Sequence, residues 1–153
     1  MKDIILTAEA HCDVPCGIYD PIIAQIAALS VIRMVDLINA LDTQGKTDHN
    51  SLVRYIQTKE REATKCKDEI AIIWGDFIKP AHLEHYTGLH SIVHKIMSLS
   101  SAAKQHVSRE KADELLKEVN KFSEIFWEIK NVPTKRAICP YLPSVEVVYP
   151  LVP

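Results

Sequence analysis

The chain has 153 residues, enough for one domain with a core; 47% are hydrophobic and only four are glycine, a balance that favours helices over sheet or disorder. A formal charge of -2 without any lysine or arginine run excludes a nucleic-acid partner, because nothing accumulates the positive field a phosphate backbone needs. No apolar run approaches the length needed to cross a bilayer, so no membrane role is expected, and the apolar stretch within residues 1–10 is too short for a secretory signal.

In chain order, the first distinctive stretch is His11-Cys12-Asp13-Val14-Pro15-Cys16-Gly17-Ile18-Tyr19-Asp20. Two cysteines separated by three residues can close on one metal ion, and Pro15 and Gly17 allow the backbone to turn tightly enough to bring them together. Asp20-Pro21 then reads as an N-cap with proline at the first helical position, and Ile22, Ile26, Leu29, Ile32, Val35, Ile38 and Leu41 recur at helical spacing. A turn-rich stretch from Asp42 to Asn50 ends that helix.

A second helix is predicted from near Ser51 to Ile78, with Leu52, Ile56, Ala63, Cys66, Ile70, Ile73 and Phe77 on one face and Lys79-Pro80 as its stop. A third lies between about Thr87 and Gln105. Ser108 caps a fourth, which carries Leu115, Val119, Phe122 and Phe126 and gives way at Asn131-Val132-Pro133. Four apolar stripes with short joins predict an all-α antiparallel four-helix bundle over residues 21–130. Five prolines between Pro133 and Pro153 predict an irregular tail over 131–153.

Four cysteines in a domain of this size do not form a disulfide framework, and a reducing, cytoplasmic setting is expected. Cys66 lies on an apolar helix face and reads as a small buried hydrophobe; Cys139 has no assignment. His82, His85, His90 and His94 lack a completing thiol or carboxylate and read as caps or surface groups rather than a zinc set.

The stretch His11-Cys12-Asp13-x-Pro15-Cys16-Gly17-x-Tyr19-Asp20-Pro21 resembles the signature of nickel-containing superoxide dismutases. Trp74-Gly75-Asp76-Phe77-Ile78-Lys79-Pro80, continuing through His82-Leu83-Glu84-x-Tyr86-x-x-Leu89-His90, is similar to that family's second characteristic stretch, and Phe126-Trp127-Glu128 to a third. The likeness spans about residues 11–130; the tail has no counterpart in it.

The resemblance implies disproportionation of superoxide to oxygen and hydrogen peroxide at a mononuclear Ni(II)/Ni(III) site. By position, the nickel ion would take the amine and imidazole of His11, the amide nitrogen and thiolate of Cys12, and the thiolate of Cys16. An N,S square plane suits Ni(II), and strong thiolate and amide donors stabilise the oxidised metal. The amine exists only after a processing peptidase cuts behind Ala10, so residues 1–10 would be a cleavable leader and 11–20 a nickel hook.

Tyr19 would stand over the open face of the metal, Asp13 would hold the hook by hydrogen bonds, and Pro15 would set its turn through a cis peptide. Lys79 would add positive potential for the substrate anion. The family assembles as a homohexamer. Two positions depart from its pattern: Ala27 stands where a glutamate braces the axial histidine, and Phe77 where a second tyrosine follows. Arg61 lies one position from the expected arginine. Two other readings use the same hook: a non-catalytic nickel or copper binding and delivery protein, and a thiol switch pairing Cys12 with Cys16.

Overall fold

A computed structural model of the chain describes residues 17–43 and 48–152. Its elements are helices α1 (Ile22–Thr43), α2 (His49–Ile72), α3 (Pro80–His85), α4 (Leu89–Gln105) and α5 (Arg109–Ile129), then strands β1 (Thr134–Ile138) and β2 (Glu146–Pro150). The molecule is mostly helical. Side-chain caps set several of the starts. Asp20 Oδ1 accepts the Ile22 N–H at 2.8 Å, Asp48 caps α2, and Ser108 Oγ takes the Lys111 N–H at 3.3 Å.

The four long helices close a ring, with α1 packed on α2 and α5, α2 on α4, and α4 on α5. Ile32, Val35, Ile70, Ile96, Leu115 and Phe122 fill its interior, each no more than 1% exposed. Cys66 is fully buried among them, and burial pushes its thiol up to about 12. One face of α1 belongs to this core, yet Ile22–Leu41 is long and apolar enough to cross a membrane, with a mean hydropathy of 1.7. The expectation that no apolar run approaches that length is corrected here: the few polar residues of α1 interrupt the run yet leave the stretch strongly apolar on average. Half of that stretch is buried inside the protein, as a core helix requires.

Two charged side chains are buried with their partners. Lys59, 1% exposed, donates from Nζ to the carbonyls of Ala103, Lys104 (2.9 Å) and His106 (3.3 Å). It thereby satisfies the orphan carbonyls at the end of α4. Glu118, 2% exposed, accepts from Lys95 at 3.1 Å and Lys121 at 2.9 Å. Burial acts to raise the pKa of this carboxyl, but the hydrogen bonds and charges of Lys121 and Lys95 outweigh it and hold it below the usual glutamate range.

Three expectations change. The second helix does not run as α-helix to Ile78: at Ile73–Phe77 it widens to a π turn, closed by the Ile78 N–H donating to the Ile73 carbonyl at 3.2 Å. Pro80 does stop it, by forcing Lys79 to extended backbone, but it also opens α3, where a missing N–H costs nothing.

The tail, expected to be irregular, is an antiparallel hairpin in which Arg136 pairs with Val148 and Ala137 with Val147. Its prolines fall before β1, in the connection and at the last pairing position, so none interrupts the ladder. The hairpin is stitched to the helices through buried Gln25, whose Nε2 donates to Asn120 Oδ1 (3.2 Å) and to the Val148 carbonyl (3.0 Å). Asn120 Nδ2 donates in turn to the Glu146 carbonyl at 2.9 Å.

Candidate metal centre

The hook candidates His11, Cys12, Asp13 and Cys16, with Pro15, lie outside the described residues. The description starts at Gly17, whose φ of +81° is the left-handed conformation that favours glycine, so the chain leaves the hook through a turn that a side chain would strain. Two residues on, Tyr19 is half-buried against the core. Its ring lies 6.0 Å from that of Phe77, which the π turn carries, and Phe77 stacks at 4.8 Å on the buried Phe126 of α5. Residues 19, 77 and 126, far apart in sequence, thus form one aromatic wall where the hook enters the helical body.

Around the wall the structure places further groups of the second stretch. Lys79 donates from Nζ to the Asp76 carbonyl at 2.9 Å, while its backbone N–H donates to His82 Nδ1 at 3.1 Å. His82 also faces the Phe77 ring at 5.8 Å. His85 meets Tyr86 edge-on at 4.7 Å, His90 meets Trp74 at 4.6 Å, and His94 is exposed. These histidines do the capping and surface work read from the sequence. Among the described residues no group of three or more His, Cys, Asp or Glu is arranged to hold a metal.

Sequence reasoning passed over Lys130. It lies two residues beyond the third matching stretch, and its Nζ sits 5.2 Å from the Phe77 centroid and 5.6 Å from that of Phe126. The signal was available in the spacing, since Lys130 lies four residues, one helical turn, beyond Phe126.

The departures are also visible. Ala27 is fully buried in the core, and the polar side chain two residues before it, Gln25, is committed to Asn120 and Val148. Phe77 offers Tyr19 a ring edge and no hydroxyl. Arg61 is exposed and paired with Glu62 at 3.2 Å, about 20 Å along the helix from Trp74.

The donor chemistry fits nickel. A metal-binding cysteine must be a thiolate. Cys66 is held protonated by burial, and Cys139, 1% exposed, directs its sulfur to the Tyr141 carbonyl at 3.2 Å. By the family resemblance, Cys12 and Cys16 would be the pair that holds the metal. Two thiolates with imidazole and backbone nitrogen make the N,S set that square-planar Ni(II) prefers.

Residues 6–130 match the family model described as nickel-containing superoxide dismutase. The superoxide dismutase [Ni] of Streptomyces coelicolor is 34% identical over 125 residues, covering 82% of this chain and 92% of that protein. That of Streptomyces seoulensis is 36% identical over 122 residues, covering 80% and 89%. The crystal structure of a Ni-containing superoxide dismutase with ligation corresponding to the oxidized state superposes with a TM-score of 0.72 at 35% identity, over 79% of this chain and 99% of that one. The matched region stops at the end of α5, so the hairpin is an addition to what these relatives share. With a family model matched over residues 6–130 and two relatives 34% and 36% identical over most of the chain, the chain belongs to the nickel-containing superoxide dismutase family.

Proposed function

We propose that this chain disproportionates superoxide at a nickel ion held by His11, Cys12 and Cys16, after a peptidase cutting behind Ala10 frees the His11 amine. The single observation that carries the reading is the junction at residues 17–19, where the end of the hook runs through a glycine turn into a tyrosine packed on Phe77. When bound, nickel supplies the one-electron couple that converts two superoxide ions and two protons to oxygen and hydrogen peroxide.

The chain's own residues do the rest. The Tyr19 ring walls the approach to the metal and excludes larger molecules. Asp13 holds the hook by hydrogen bonds. Lys79 counters the net negative charge of the chain locally, which favours entry of an anion. The ring of four long helices serves as an antiparallel four-helix scaffold, assembled as a homohexamer in a reducing cytoplasm.

The test compares two nickel-loaded proteins, the chain beginning at His11 and the uncleaved chain. Rapid superoxide consumption by the trimmed form alone is expected. Stoichiometric nickel with full activity in the uncleaved chain would refute the processing requirement. A second reading, a non-catalytic nickel or copper delivery protein, is favoured by the buried Ala27 and the apolar Phe77. Tight metal binding without turnover in the trimmed chain would establish it.

A further inference from the structure

We infer that Lys130 is an anion-guiding residue for the Tyr19 end of the molecule, a second cation besides Lys79; the inference rests on the superoxide reading above. Four observations place it there. Its ammonium stands over both Phe77 and Phe126, so it is fixed on the wall that Tyr19 completes. The legs of 5.2 Å and 6.0 Å put Nζ within about 11 Å of the Tyr19 ring centroid, close to the Debye length of about 10 Å at 0.1 M salt.

Among the described residues Lys130 joins no ion pair, whereas Lys95, Arg109, Lys121 and Arg136 are all neutralised by carboxylates. The acidic groups nearest in sequence are engaged elsewhere: Glu124 holds Arg136 at 2.7 Å, and Glu128 hydrogen-bonds Tyr86. Over these apolar rings and away from carboxylates, the Lys130 ammonium directs its field toward Tyr19. Packing alone would be served equally by methionine. The ligand it fits is a small monovalent anion, superoxide as substrate.

Coulomb's law in water at this distance gives about a twofold enrichment of such an anion, and screening removes it. In the trimmed, nickel-loaded enzyme, Lys130→Gln is expected to lower the second-order rate of superoxide consumption about twofold at an ionic strength of about 10 mM. The gap closes at about 0.5 M, and Lys130→Arg retains the parent rate. An unchanged rate and salt slope in Lys130→Gln would overturn the inference.

A second measurement needs neither nickel nor cleavage: quenching of tryptophan fluorescence in the full chain by iodide, relative to neutral acrylamide. Trp127 meets Phe126 at 5.1 Å and reports this end. The iodide-to-acrylamide ratio is expected to fall in Lys130→Gln, by up to about twofold; an unchanged ratio also overturns the inference. If the parent itself consumed no superoxide, the function reading would fail, and the iodide ratio would still decide the role of Lys130.

Discussion

The aromatic end around Tyr19 and the opposite end around Lys59 solve the same problem, how helices stop, in contrasting ways. At the Lys59 end a buried ammonium donates to three carbonyls after α4, and Arg109 adds a 2.6 Å bridge to Asp36 of α1. Its polar groups are satisfied within the protein. At the Tyr19 end the helical ladder widens into a π turn, the chain breaks at Pro80, and rings and cations face a half-open surface. One end satisfies its polar groups within the protein, while the other leaves rings and cations partly exposed, the distribution expected if the proposed site lies at the Tyr19 end.

The sharpest way to test that division is at the hook. Cys12→Ser or Cys16→Ser is expected to abolish stoichiometric nickel binding and to cut superoxide consumption by more than about a hundredfold, beyond the range for a lost supporting contact. The melting midpoint of the metal-free helical body should stay at the parent value. A large drop in that midpoint would break the comparison, because it would make the hook part of the fold.

At the other end, Lys59→Ala leaves three carbonyls and a cavity behind, and should cost about 2–4 kcal/mol in denaturant unfolding. The rate per bound nickel should be unchanged. A loss of rate at full nickel occupancy would show that the two ends are coupled.

Between them, Glu118→Gln removes a carboxylate that Lys121 and Lys95 hold ionised, for about 1–2 kcal/mol at neutral pH. Because the folded pKa is depressed, this stabilisation is complete above the ordinary glutamate value of 4.5 and is lost as pH falls through the lowered one. Stability of the variant should therefore fall less steeply below about pH 4.5 than that of the parent, as urea midpoints across pH 3–6 would show. The smallest effect is expected from Phe77→Tyr, a nearly volume-conserving change at a half-buried site. It should cost less than about 1 kcal/mol and shift the superoxide rate within about threefold.

The long helices could be read from the sequence because their signals are local. Asp20 and Ser108 cap where their types and positions said they would, and the three-four spacing of Ile70, Val93 and Leu115 is the core face itself. The family was legible for a chemical reason, since few other tasks need a histidine, two cysteines, a proline and a glycine within seven residues, and the family model matches residues 6–130. The π turn was not, because its cause is tertiary: nothing in Ile73–Phe77 distinguishes it from α-helix until Phe77 has Tyr19 and Phe126 to meet. The hairpin was hidden by counting prolines instead of placing them. Val145 to Tyr149 is a β-branched and aromatic run with prolines only outside it, which is a strand signal.

The stitch between Gln25 and Val148 also bears on when this protein can be finished. These partners are 123 residues apart, so the first turn of α1 leaves the ribosome long before the carbonyl that its side chain requires. Until the hairpin has been synthesised and has paired, Gln25 and Asn120 are buried-in-waiting amides with water as their partner. At a synthesis rate of about 5–20 residues per second, that interval lasts several seconds or more. The hairpin therefore acts as a timer: the first turn of α1 is fastened only after the strand that carries Val148 has been made.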